Sequence, residues 1–144
     1  MDLGLKGRVA LITGGSKGIG KAVGLALARE GVQVAICARD ESGLQQAARE
    51  MAACGVTAVP IPADVTRPED IARFVDTAVA RLGRIDILVN NAVSSTQNRF
   101  AALSDEEWRH HIDVKLMGYV RCAREVLPHM QKAGWGRIVN VAGM

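Results

Sequence analysis

The sequence predicts an α/β fold, a doubly wound parallel sheet truncated after its fifth strand. Strand and helix signals alternate along all 144 residues, which favours parallel strands with helices on both faces. Hydrophobic residues make up 49% of the chain, which suits a sheet that is buried on both sides. A glycine-rich turn at residues 13–20 joins the first strand to the first helix. We therefore expect one domain over residues 1–144, with the strand order 3-2-1-4-5.

Apolar runs rich in β-branched residues predict five strands, at residues 9–12, 32–37, 56–61, 85–89 and 137–142. Amphipathic or alanine-rich patterns predict the four helices between them, which end near residues 30, 53, 82 and 132. Either Asp40 or Ser42 is expected to cap the second helix. Ser104 and Glu107 form a capping box that opens the long fourth helix, and Pro128 is expected to bend its last turns.

Composition argues against several classes of function. The net charge is +3 and the pI is near 9.0, but the basic residues are scattered among acidic ones, so we expect no nucleic-acid partner. No apolar stretch is long enough to span a membrane, and the N-terminus does not resemble a signal peptide. The three cysteines, Cys37, Cys54 and Cys122, are odd in number and lack metal-ligand spacing. Reduced thiols in a cytoplasmic protein are the expectation.

The glycine turn predicts nucleotide binding. One glycine lets the chain turn off the strand, one lets backbone approach a diphosphate, and one lets helix pack against strand. The amides that open the helix then face the phosphates. The generic G-x-G-x-x-G fingerprint of Rossmann-type folds is absent, because Val23 stands where its third glycine belongs. A phosphate loop of the NTPase kind is disfavoured as well, since Ala22 replaces the Ser or Thr that holds magnesium.

The end of the second strand indicates which dinucleotide binds. An acidic residue there would bond both ribose hydroxyls and favour NAD, but the position holds Ala38. Arg39 follows and offers a planar cation suited to phosphate, and Lys17 in the glycine turn adds a second positive charge. We therefore expect NADP(H) to be preferred, with NAD(H) as the alternative. Asp40 opposes this interpretation, because it could pair with Arg39.

Two further motifs follow predicted strands. Asp64-Val65 comes after the third strand, and Asn90-Asn91-Ala92 comes after the fourth. Together with T-G-x-x-x-G-x-G, they make the chain resemble the N-terminal portion of a short-chain dehydrogenase/reductase. The resemblance implies hydride transfer between a nicotinamide dinucleotide and a small carbonyl or alcohol substrate. It also implies a set of cofactor-binding residues: Gly14, Ser16, Lys17, Gly18, Ile19, Gly20, Arg39, Asp64, Val65, Asn91, Ala92 and Val93.

Several positions depart from the family pattern. Val93 replaces the glycine that usually follows Asn-Asn-Ala. Lys115 stands at the position of the catalytic asparagine, and Gly143 at that of the catalytic serine. Tyr119 is followed four residues later by Ala123, so it is not the family's Tyr-x-x-x-Lys pair. We match no catalytic residue in residues 1–144 and expect this chain alone to be inactive.

Two interpretations follow. One is an NADP-preferring oxidoreductase represented by its cofactor-binding part, and the other is a catalytically silent nucleotide-binding or interaction protein. No metal site is predicted: His110, His111 and Asp113 are adjacent on a helix but complete no ligand pattern, so we expect a solvated helix face. The fifth strand would be an apolar sheet edge, which predicts a homo-oligomer.

Overall fold

The computed structural model describes residues 1–94 and 98–142, which form a five-stranded parallel sheet in the order β3-β2-β1-β4-β5. This confirms the predicted strand order. The strands are β1 Val9–Thr13, β2 Gln33–Ala38, β3 Ala58–Pro62, β4 Ile87–Asn90 and β5 Arg137–Asn140. The α-helices are α1 Gly18–Arg29, α2 Glu41–Ala52, α3 Pro68–Leu82, α4 Asp105–Ile112 and α5 Gly118–Ala133. A 3-10 helix, Phe100–Ala102, precedes α4, and a π-helical turn, Asp113–Met117, joins α4 to α5.

Alternation along the strands divides the core into two layers. In β1, Val9 and Leu11 face the layer covered by α3 and α5, whereas Ala10 and Ile12 face the layer covered by α1 and α2. Every residue of β1 is buried, as expected for a central strand with helices on both faces. The only large aromatic side chain that is fully buried among the described residues is Phe74, so both layers are mainly aliphatic. Packing on both faces holds the strands in position, and the candidate site lies at their carboxyl ends.

The prediction of one long fourth helix is wrong in one respect, since the α-helix is not continuous. Its first turn carries the predicted capping box: Ser104 Oγ accepts from the Glu107 amide, and Glu107 accepts from the Ser104 amide. Pro128 lies inside α5, which continues to Ala133. Most other strand and helix ends differ from the predicted ones by one or two residues, which is the usual uncertainty of element ends.

The π-helical turn has an identifiable packing environment. Gly118 lies against Val65, and a Cβ built on Gly118 would be 3.1 Å from Val65 Cγ2. Arg121 donates to the backbone oxygens of Val65 and Asp113, and its Nη2 lies 2.6 Å from Asp113 Oδ1. These contacts hold the wider turn in place. Turns of this kind are frequent at functional sites, and this one carries Lys115.

A buried carboxylate ties the amino end of the sheet together. Asp86, which has no exposed surface, accepts hydrogen bonds from Arg8, from Arg84 and from the backbone amide of Val9. Burial alone raises the pKa of Asp86, but the hydrogen bonds from Arg84, Val9 and Arg8 outweigh it and hold the pKa below its ordinary value.

Replacing this carboxylate is expected to destabilise the fold strongly. Asp86→Ala leaves the Val9 amide without its acceptor and two arginines without their counter-ion, and should cost about 2–4 kcal/mol of unfolding free energy at neutral pH. Because the folded pKa is lowered, the stabilisation is present above the unfolded pKa of about 4 and is lost as the pH falls through the folded pKa. Urea unfolding at neutral and acidic pH measures both effects.

The exposed Asp76 of α3 provides the control. Asp76→Ala should stay within about 0.5 kcal/mol of the parent. Equal unfolding free energies for the parent and Asp86→Ala at neutral pH would show that the Asp86 cluster contributes nothing to stability.

Candidate functional site

A cleft of about 710 Å³ lies beyond the carboxyl ends of β1 to β4. This is the point where the strand order reverses direction, because β1 is flanked by β2 on one side and β4 on the other. The cleft is lined by Gly14, Ser16, Lys17, Gly18, Ile19, Cys37, Ala38, Arg39, Asp40, Ala63, Asp64, Val65, Asn91, Ala92, Val93 and Val114. All the predicted cofactor-binding residues except Gly20 therefore lie in its wall.

Two glycines shape the loop between β1 and α1. Gly14 has φ +67°, and a Cβ there would lie 3.0 Å from Asn91 Nδ2 and 3.1 Å from Ala92 Cα. Gly20 does not line the cleft. It is buried in the first turn of α1, where a Cβ would overlap the carbonyl oxygen of Gly14. Gly20 thus allows close packing beneath the loop, while Gly14 allows the loop's turn.

Asn91 fixes the glycine loop to the end of β1. Its Nδ2 donates to the carbonyl oxygens of Thr13, at 3.2 Å, and Gly14, at 3.1 Å. The backbone amides of Asn91 and Ala92 both donate to Thr13 Oγ1, at 3.0 and 3.1 Å. The sequence does not predict Thr13 as a site residue, although Thr13 opens the glycine motif. Its hydroxyl joins the loops after β1 and β4 across the switch point.

The amino end of α1 is open to an anion. Its N-cap is Lys17, and no side chain in the described part of the protein caps the helix. The first amides of a helix lack partners within the helix and carry its positive dipole end. Gly18 and Ile19 of this first turn line the cleft. Backbone donors are thus available where a diphosphate would bind, and the residues present fit a dinucleotide.

The cleft is lined by two positively charged side chains. Arg39 and Lys17 are both exposed. Asp40 accepts from Ser42 Oγ, and within residues 1–94 and 98–142 it forms no ion pair with Arg39. The guanidinium of Arg39 is therefore available to a ligand.

Asp64 also lines the cleft, near the positive charge of Arg39. Its Oδ1 accepts from the amide and the hydroxyl of Thr66. Burial raises the pKa of Asp64, but the two Thr66 hydrogen bonds and the nearby positive charge of Arg39 outweigh it, so the pKa lies below its ordinary value. Asp64 is an ionised acceptor at neutral pH.

A second, wider cleft of about 1380 Å³ adjoins the first, since Val93 lines both. Lys115 and Tyr119 lie in its wall. The Tyr119 hydroxyl donates to the Val141 carbonyl at 3.0 Å, and burial raises its pKa. Lys115, from the π-helical turn, is half-buried. Gly143, the other position predicted to depart from the catalytic pattern, lies outside the described residues.

The histidine pair differs from the prediction of a solvated face. His110 is exposed, but His111 is half-buried, lines the second cleft and shares a hydrogen bond with Ser94 Oγ. Asp113 is paired with Arg121. Across the described ranges, no three histidine, cysteine or acidic side chains come together in a way that could hold a metal ion. None of the helices in these ranges has the length and hydropathy of a membrane-spanning segment.

Comparison with known proteins settles the family. The model of the family described as short chain dehydrogenase matches residues 8–144. The chain belongs to the short-chain dehydrogenase/reductase family. A curated member, 3-oxoacyl-[acyl-carrier-protein] reductase FabG of Pseudomonas aeruginosa, is 36% identical over 142 residues, which are 99% of this chain and 58% of the relative.

Solved short-chain dehydrogenase/reductase structures have the same fold. A metagenomic short-chain oxidoreductase in complex with NADP is 34% identical with a TM-score of 0.89, over 97% of this chain and 64% of that one. NAD⁺-bound xylitol dehydrogenase is 30% identical with a TM-score of 0.92, over 97% of this chain and 54% of that one. The chain thus spans little more than half the length of such members.

Proposed function

We propose that residues 1–144 are a dinucleotide-binding domain, the cofactor-binding part of an oxidoreductase that transfers hydride between NADP(H) and a carbonyl or alcohol substrate. The observation that carries the proposal is the uncapped amino end of α1 beneath the glycine loop, at the switch point of the sheet. The two related structures hold NADP and NAD⁺, which supports a nicotinamide dinucleotide here. The bound cofactor would supply the hydride, and the chain would supply its orientation.

Each part of the cleft has a proposed partner on the cofactor. The backbone of residues 14–20 binds the pyrophosphate, because no side chain of the described residues caps the first amides of α1. Asp64 and Val65 lie towards the adenine, where an ionised carboxylate can accept from an amino group. Asn91, Ala92 and Val93 line the side nearest the second cleft, which suits the nicotinamide ribose.

The proposed preference for NADP(H) over NAD(H) depends on Arg39. Ala38 puts no negative charge at the end of β2, and Arg39 and Lys17 both line the cleft. A guanidinium binds a phosphate monoester with two parallel hydrogen bonds, each assisted by charge. The 2′-phosphate, which distinguishes the two cofactors, would bind here.

The variant Arg39→Ala tests this preference. A charge-assisted contact contributes roughly 1.5–3 kcal/mol, so NADPH affinity should fall by about one to two decades while NADH affinity stays nearly unchanged. Calorimetric titration with each cofactor measures the change. Arg29→Ala, an exposed arginine in the last turn of α1, is the matched control and should leave both affinities unchanged. Equal losses of NADPH and NADH affinity would show that Arg39 packs on the adenine or stabilises the fold instead of binding the 2′-phosphate.

A second candidate is a catalytically silent nucleotide-binding or interaction protein. It is favoured by Lys115 at the position of the family's catalytic asparagine and by the absence of a Tyr-x-x-x-Lys sequence in residues 1–144. Redox turnover separates the two candidates, whereas cofactor binding does not. In both, the expected setting is cytoplasmic, with no nucleic-acid partner.

Self-association stays a prediction. β5 pairs with β4, and its four residues are exposed, including Ile138 and Val139. Among the described residues β5 pairs with β4 alone, and an apolar strand edge favours association, so we propose that the 144-residue chain by itself forms a homo-oligomer. The edge is shorter than the six-residue strand predicted from the sequence.

A further inference from the structure

Two buried valines line the cleft where we place the cofactor, and they come from different parts of the chain. Val65 belongs to the loop after β3, and Val114 belongs to the π-helical turn. They are 7% and 5% exposed and lie in the same core layer. Because neither segment is part of the sheet, contacts between the loop and the turn determine how far apart the two side chains lie.

Arg121 of α5 is hydrogen-bonded to both segments. Its Nη1 donates to the Val65 carbonyl at 3.3 Å and to the Asp113 carbonyl at 3.4 Å, and its Nη2 donates to Asp113 Oδ1 at 2.6 Å. The Arg121 side chain is only 18% exposed, so these contacts are partly shielded from water. The donors of a guanidinium lie in one plane at fixed angles, so these bonds constrain the loop relative to the turn.

Gly118 joins the same two segments at a second point. Its amide donates to the Asp113 carbonyl, which is the bond that closes the wider turn. A carbonyl oxygen has two lone pairs, so it can accept from Arg121 as well. Gly118 also packs closely on the loop, because a Cβ there would lie 3.1 Å from Val65 Cγ2. A polar contact and a packing contact thus hold the turn against the loop.

We propose that Arg121 is a positioning residue for the dinucleotide. By joining the loop to the turn, it sets the separation of Val65 and Val114 and so the shape of the cleft beside the adenosine half of the cofactor. Arg121 is not among the described residues that line this cleft, so it acts through the two valines and does not touch the cofactor. This role rests on the proposed function, but the link between the two segments is measurable in the free chain.

Arg121→Lys tests the proposal with a small change. Lysine keeps the positive charge, but its single ammonium lacks the planar pair of nitrogens that contacts Val65 and Asp113 together. We expect NADPH, NADH and 2′,5′-ADP each to bind about three- to tenfold more weakly in calorimetric titrations. The probe 2′,5′-ADP carries no nicotinamide, so it reports on the adenosine half alone. The equal loss for NADPH and NADH separates Arg121 from Arg39, which is expected to affect NADPH alone.

Two further variants complete the test. Arg124→Lys makes the same replacement at an exposed position of α5 and should change no affinity. Asp113→Asn keeps the shape of its side chain but removes the charge that faces Arg121, and it should weaken the same three ligands. The double variant Arg121→Lys/Asp113→Asn should bind little more weakly than either single variant, because both changes act on one contact.

NMR spectra of the ¹⁵N-labelled chain without ligand report on the link itself. Arg121→Lys should shift the amide resonances of both Val65 and Val114, and Arg124→Lys should shift neither. Unchanged affinities in folded Arg121→Lys, full additivity in the double variant, or unshifted resonances would overturn the inference. Failure of the parent chain to bind any of the three ligands would contradict the proposed function itself, and the resonances of the free chain would still decide whether Arg121 joins the two segments.

Discussion

Gly14→Val is expected to reduce NADPH affinity by about a hundredfold or more, which is roughly 2.7 kcal/mol. The backbone of Gly14 has φ +67°, a conformation that a β-branched residue adopts only with strain. Its new Cβ would also be 3.0 Å from Asn91 Nδ2 and 3.1 Å from Ala92 Cα. The loop must move, and the amides that face the diphosphate move with it. Calorimetric titration with NADPH measures the loss.

Gly55→Val is the matched control for this variant. Gly55 has φ +86° and lies outside the cleft, and a Cβ added there would meet no atom within 4 Å. The backbone strain is therefore similar, but no proposed cofactor contact is touched. Circular dichroism establishes that both variants fold. Parent-like NADPH binding by folded Gly14→Val would show that the cofactor site lies elsewhere.

The 144-residue chain is expected not to reduce carbonyl compounds at a useful rate. A positioned general acid contributes about 10²–10⁴-fold, and the tyrosine–lysine pair that supplies the proton in this family is not found in residues 1–144. We expect Gly143 at the family's serine position, and loss of a donor to the developing alkoxide costs about 10²–10³-fold. The two losses need not multiply.

NADPH absorbance with a panel of ketones, aldehydes and quinones measures this activity, using chain freed of host reductases. Lys115 and His111 are the alternative proton donors, because both line the second cleft beside the proposed nicotinamide position. Turnover that disappears with Lys115→Ala or His111→Ala would contradict the prediction and identify the donor.

The glycine loop can be predicted from the sequence because its chemistry is local. The order of strand, glycine turn and helix requires only neighbouring residues, and Gly14 and Gly18 do have positive φ. The strand order follows from the alternation of elements together with this loop. The motif does not separate the roles of its glycines: Gly20 packs beneath the loop, outside the wall of the cleft, whereas Gly14 and Gly18 line it.

Contacts between distant parts of the chain cannot be predicted in the same way. Asp86 pairs with Arg8 across 78 positions, and the Ser94–His111 hydrogen bond joins the loop after β4 to α4. No regular spacing along the sequence indicates either pair, because each contact depends on how the sheet and helices pack. The sequence also gives no sign of the π-helical turn at residues 113–117, because the amphipathic pattern continues through it.

The most direct test of the central claim is an NMR titration of the ¹⁵N-labelled chain with NADPH. If the uncapped amino end of α1 binds the diphosphate, the amide resonances of residues 14–20 should shift most, together with those of residues 91–93. The amides of Gly55 and Gly134, which lie outside the cleft, should stay in place. Saturable shifts confined to other residues, or no shifts in the folded chain, would contradict the proposed cofactor site.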